Sequence, residues 1–195
     1  MKKMSTAFKI SSVFVLCLLL FSCSPVEKGT NSGSFIVVES IVGKDLQGND
    51  SSIVFSDVIT NDLYYPDFVT VTLKAATMDP NPILGVSQYS DIMLTRCVIS
   101  YTRSDGATGE GTEVPYHYEV NLSYRLPVGT SVSFPLMIVR DVAKTQPPLN
   151  ALVGDPTAML ECTAKIEFFG HDLRNRDVKQ TAYISVRFAD YVDSK

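Results

Sequence analysis

The chain has 195 residues, 17 Lys and Arg against 21 Asp and Glu, and a formal charge of −4. An acidic balance argues against nucleic-acid binding, which relies on basic side chains to neutralise phosphates. The 45% apolar content, with nine Tyr, ten Phe and no Trp, is enough for one well-packed domain.

The first element is apolar and short. Lys2, Lys3 and Lys9 are followed by an apolar run from Ile10 to Phe21, and no acidic residue occurs before Glu27. A membrane-spanning helix needs about 20 apolar residues, so this run is too short to span and suits the core of a secretory signal. It ends Leu20-Phe21-Ser22-Cys23. That tetrapeptide resembles the bacterial lipoprotein signature, with Leu20 at −3, small Ser22 at −1 and Cys23 at +1. Phe21 departs from the small or β-branched residue usual at −2. The resemblance implies cleavage after residue 22 and lipidation of Cys23. Ser24 at +2 is compatible with outer-membrane sorting. An anchor of two or more acyl chains holds a protein stably to a bilayer. Removing residues 1–22 takes three of the 17 basic side chains and none of the 21 acidic ones, leaving a formal charge of −7. Such a chain has no polybasic membrane patch, and the lipid alone would hold it.

Residues 23–34 then form a lipidated cysteine and a tether rich in Ser, Gly and Pro. Residues 35–195 form one domain, and period-2 alternation runs through nearly all of it. Strands are expected at Ser34–Val42, Ser52–Ile59, Phe68–Met78, Ile92–Thr102, Val114–Tyr124, Thr130–Arg140, Met159–Phe169 and Thr181–Phe188. In Val114–Tyr124 the set Val114, Tyr116, Tyr118, Val120, Leu122 and Tyr124 shares one face. A turn is expected at Gly43–Asp50, a hairpin signal at Arg103-Ser104-Asp105-Gly106, and a short helix at Leu149–Val153. About eight strands separated by turns are the pattern of an all-β, mostly antiparallel sandwich. Gly43-Lys44-Asp45-Leu46 with Asp50 echoes Gly170-His171-Asp172-Leu173 with Asp177. Shared hairpin chemistry accounts for it, with Gly permitting positive φ and Asp bonding the local backbone.

The run from Cys97 to Gly106, an apolar-x-Tyr strand entering a loop, is similar to the third strand of Ig-like and fibronectin type III domains. The last two strands around Gly170-His171-Asp172 look like their closing hairpin. The resemblance covers the C-terminal two-thirds, and the whole chain looks like small bacterial lipoproteins built on such sandwiches. It implies a fold and an envelope location and supplies no catalytic motif. The 65 residues between Cys97 and Cys162 resemble the spacing of the Ig inter-sheet disulfide. Cys97 falls on the third strand rather than the second, however, so pairing and two free buried thiols both stay open.

Few residues suggest chemistry. His117 lies on a polar face beside Glu119, and His171 follows a glycine in a turn. No metal-ligand or nucleophile motif accompanies either. Asp172, Asn175 and Asp177, or Asp45, Asn49 and Asp50, could offer oxygens to calcium, but neither set has EF-hand spacing, and polar turns explain both. Tyr64, Tyr65, Tyr89 and Phe169 fall in loops or on outward faces and are the candidates for stacking on a ligand. The expectation is therefore a non-enzymatic binding or structural accessory, without cofactor. It is anchored to the bacterial envelope through Cys23 and meets a protein partner there. The alternative is a module that binds envelope carbohydrate or another small ligand.

Overall fold

The computed structural model describes residues 32–79, 85 and 87–191. Cys23, the expected signal and most of the expected tether lie outside the described residues. Nine strands form two sheets: β1 (Ser34–Lys44), β2 (Asp50–Ser51), β3 (Ile53–Asp57), β4 (Asp67–Thr77), β5 (Ile92–Arg103), β6 (Tyr118–Leu126), β7 (Val132–Val139), β8 (Met159–Asp172) and β9 (Asp177–Ala189). One sheet has the order β2-β1-β4-β7 and the other β3-β9-β8-β5-β6. All pairs are antiparallel except β3 with β9. The first strand pairs with the second long one, and the last strand closes the opposite sheet with a short parallel piece from the start of the chain. That order is Ig-like, so the expected all-β sandwich is the observed fold.

Alternation explains the core. β4 turns Val69, Val71, Leu73 and Ala75 inward, and β8 turns Cys162, Ala164, Ile166 and Phe168 inward; all are buried. Burying an aliphatic or aromatic side chain of this kind contributes about 1.5–3 kcal/mol. Two tyrosines bind the sheets with polar groups as well. Tyr101 and Tyr118, from β5 and β6, donate their hydroxyls across the core to the carbonyls of Ile138 and Met137 on β7. Burial raises the pKa of both phenols above the ordinary range.

Three expected elements differ. The strand expected at Ser52–Ile59 is β3, but the turn expected at Gly43–Asp50 runs into an additional two-residue strand, β2, and the Ser51 hydroxyl accepts from the Ile53 N–H at 3.0 Å across the break at Ser52. The chain crosses there from β1 in one sheet to β9 in the other. The strand expected from Val114 begins at Tyr118. Residues 109–114 close a turn through Glu113 N–H to Gly109 O at 2.7 Å and Gly111 N–H to Val114 O at 2.8 Å. Val114 is buried, yet Tyr116 is 48% exposed, so the apparent alternation continues through residues that are not paired in a sheet. Between β7 and β8 the chain forms one helical turn, α1 (Asp141–Lys144), and a 3-10 turn at Leu149–Leu152, where the short helix was expected.

The echo between the two hairpins is a shared turn. Asp45 and Asp172 each accept from the backbone N–H two and four residues on, and each donates its own N–H to the carbonyl four residues on. Gly48 and Asn175 take the left-handed position, with φ of +82° and +61°. Gly43 and Gly170 have a different role from the one expected. Both lie within strands and permit close approach rather than positive φ. A Cβ at Gly170 would lie 2.3 Å from the Met93 carbonyl oxygen on β5, where the ladder shifts register between Leu94 and Arg96.

A Gly170→Ala substitution must push backbone away from backbone. It is expected to destabilise the sandwich by about 3 kcal/mol or more, as read by urea denaturation. Gly43→Ala, whose Cβ would meet the tip of Val54 at 2.8 Å, is expected to cost less because a side chain can shift.

Candidate functional site

The two ends of the sandwich differ in chemistry. At one end the described chain enters at Ser32, beside the β8–β9 turn. Asp172 is fully buried there. Its Oδ1 accepts from the N–H groups of Arg174 at 2.9 Å and Arg176 at 3.0 Å. Its Oδ2 accepts from Arg176 Nε at 2.8 Å and Ser32 Oγ at 3.0 Å. Burial opposes the charge, but the bonds from Arg176, Ser32 and Arg174 outweigh it and hold the carboxyl below the usual range. Asp91, immediately before β5, repeats the pattern. It pairs with Arg125 through Oδ2 at 2.6 Å and accepts the Val128 N–H at 3.0 Å.

At the opposite end Lys144 is 1% exposed. Its Nζ donates to the Asp57 carbonyl at 2.6 Å and meets Asp67 Oδ2 at 2.9 Å. Ser56 Oγ donates to the same carboxylate at 2.6 Å. Burial pushes the Asp67 carboxyl up, against the pull of Lys144 and Ser56. This cluster ties α1 to the loop between β3 and β4. That loop carries a tight turn with Asn61 and Asp62 both at positive φ, followed by Tyr64 and Tyr65. No sequence signal marks Lys144: it lies in a polar-looking stretch, and only the fold buries it. Lys144 has almost no exposed surface while Asp67 keeps about a fifth of its own, and the pair fastens α1 to the two strand ends that flank the loop.

The three candidate tyrosines are not brought together. Tyr64 and Tyr65 are 37% and 52% exposed at the end that holds Lys144. Tyr89 is 61% exposed in the 3-10 turn Gln88–Ser90, just before Asp91, at the other end. The twelve residues of β5 separate these ends by roughly 35–40 Å. Phe169 lies on the outer face of β8, with the Arg96 guanidinium 4.0 Å and the Lys179 ammonium 5.0 Å from its ring centre. It floors an open depression of about 370 Å³, lined also by His171 and Asp177. Its cations are already paired, Arg96 with Glu119 and Lys179 with Glu167.

Neither histidine sits in a catalytic triangle. His117, just before β6, meets Glu110 at 2.8 Å rather than Glu119, and is largely exposed. His171 Nδ1 lies 3.0 Å from the Asp172 carbonyl oxygen. Neither ring is hydrogen-bonded to a hydroxyl among the described residues. The turn carboxylates Asp45 and Asp172 accept from backbone N–H groups, and among the described residues no three His, Cys, Asp or Glu converge as metal ligands.

Cys97 and Cys162 are both buried and free. They lie on neighbouring strands, but Cys97 faces Phe168 and Cys162 faces Arg103. Six residues of register separate them by roughly 20 Å, beyond the reach of a disulfide. An Ig inter-sheet bridge would join β8 to β4, where the inward positions are Val69, Val71, Leu73 and Ala75. Burial pushes both thiols up to about 12.

Two tests follow from this geometry. Asp67→Asn leaves the Lys144 charge buried without a carboxylate and is expected to cost about 3–5 kcal/mol. Lys144→Met is expected to cost less, because Asp67 can take a proton; urea melts of both variants and the double variant measure the difference. Iodoacetamide at pH 8 is expected to leave Cys97 and Cys162 unmodified in the folded protein and to alkylate both in denaturant, as read by intact mass.

No family model matches the chain, and no curated protein is significantly similar to it.

Proposed function

We propose that the protein is a lipid-anchored accessory of the bacterial envelope, lipidated at Cys23 and sorted to the outer membrane. Its sandwich acts there as a non-enzymatic binding or structural module for another envelope protein. The lipoprotein-like end of the signal and the Ser24 that follows support the location. The acidic mature chain supports a protein partner over nucleic acid.

The observation that carries the binding role is the open edge of β6. Among the described residues this nine-residue strand pairs with β5 alone, contains no proline, and exposes Glu119, Asn121, Ser123 and Arg125. A strand of that length with unpaired backbone groups can accept a partner strand, with main-chain bonds supplying affinity. The edge strand of the other sheet, β7, carries Pro135, which lacks a backbone donor. The carbohydrate alternative needs aromatic rings that share a groove, and Tyr64 and Tyr65 stand at the opposite end from Tyr89.

Pull-down of the full chain from crosslinked native membranes is expected to recover a defined envelope complex. The pair Asn121→Lys and Ser123→Lys changes exposed side chains, so stability is expected to move by no more than about 0.5 kcal/mol, while recovery of the complex falls. If recovery instead depends on Tyr64→Ala and Tyr65→Ala and is competed by soluble envelope glycan, the carbohydrate reading replaces this one.

A further inference from the structure

The tether does more than attach the domain; it decides which end faces the membrane. Ser32 is 5% exposed and bonded to the buried Asp172, so the chain leaves the sandwich at a fixed point. Nine Cα-to-Cα steps, with eight residues between, separate Cys23 from Ser32. Fully extended they reach about 30 Å, and as a flexible coil about 16 Å. The sandwich is longer than that, at roughly 35–40 Å along β5. A domain anchored at Cys23 therefore cannot turn its Tyr64–Tyr65 end to the bilayer.

The end beside Ser32 is suited to a lipid surface. Met78 is 63% exposed, Tyr89 61% and Leu173 39%, and Arg174 is exposed beside them. Hydrogen bonds join the elements that carry them. The Met78 N–H donates to Gly33 O at 3.0 Å, and the Leu173 N–H donates to Asp91 O at 3.2 Å, two residues after Tyr89. The buried acids Asp91 and Asp172 are neutralised internally by Arg125 and Arg176. Asp79 and Asp177 are exposed at the same end, so it is not a basic patch. Its character is interfacial: an aromatic ring with a polar tip, two apolar chains and a guanidinium that can reach a phosphate.

We propose that this end, through Met78, Tyr89, Leu173 and Arg174, rests on the phospholipid surface to which Cys23 is anchored, holding the sandwich upright with Tyr64 and Tyr65 pointing away. The inference rests on the anchor at Cys23.

Because the chain has no Trp, one substitution supplies one reporter. Full-length Tyr89→Trp and Tyr65→Trp proteins, expressed with their signal and purified from membranes, are reconstituted into phosphatidylethanolamine–phosphatidylglycerol vesicles containing brominated phospholipid. Indole emission is expected to be quenched in Tyr89→Trp and unaffected in Tyr65→Trp. Adding Arg174→Glu to Tyr89→Trp is expected to weaken the quenching. Intact mass reports the state of Cys23 in the same samples. Lipidated protein with no quenching in Tyr89→Trp, or with equal quenching in both, overturns the docking while leaving the anchor in place. An unmodified Cys23 overturns the anchor and the docking together.

Discussion

A buried carboxylate cannot be left unsatisfied, and the N-terminal end of this sandwich is organised around that constraint. Asp172 has no exposure, yet it stays ionised because Ser32, Arg174 and Arg176 converge on its two oxygens. Those bonds shape the β8–β9 turn, and the same turn hands the Leu173 N–H to Asp91. Asp91 in turn holds Arg125 and the Val128 N–H at the end of β6. One desolvated charge thus couples the entry of the chain, the closing hairpin and the start of β5. The point at which the described chain enters the sandwich is a consequence of core electrostatics.

The far end uses the same physics with the signs reversed. There a lysine is the buried group, and Asp67, Ser56 and the Asp57 carbonyl are its surroundings. The cost of desolvating Lys144 is offset by the Asp67 carboxylate and the Asp57 carbonyl, which hold α1 against the ends of β3 and β4. Between the ends, the outer face of the larger sheet is a ladder of opposed charges, including Arg96 with Glu119, Lys179 with Glu167 and Arg187 with Glu161. Paired in this way, that face has little unsatisfied charge to offer a ligand. The edge of β6, open among the described residues, is different, because its unpaired groups are backbone and cannot be neutralised from within the strand.

Much of the fold was legible because a strand writes its inward face into alternate residues. Val69 to Ala75 and Cys162 to Phe168 read directly as core. The D-L-x-x-x turns at Asp45 and Asp172 were legible as a pair, since a short acidic side chain bonds its own downstream backbone wherever it occurs. The errors share one origin. Val114, Tyr116 and Tyr118 keep the period of a strand, but a local turn closed by Gly109 and Gly111 takes the first two out of the sheet. Gly43 and Gly170 look like turn residues, but what they allow is contact with another strand, and no local pattern records that distance.

The sequence by itself determined the class of fold, the number of long strands, the acidic balance and the presence of two inward-facing thiols. These follow from composition and from periodicity, which are properties of the chain read along its length. Only the tertiary structure decided that Cys97 and Cys162 lie far apart in register, that Lys144 is buried, that Ser32 is held by Asp172, and that Tyr89 is at the other end from Tyr64 and Tyr65. Each of these depends on which strands are neighbours and in what register, and pairing is chosen by the joint packing of both sheets rather than by any one segment.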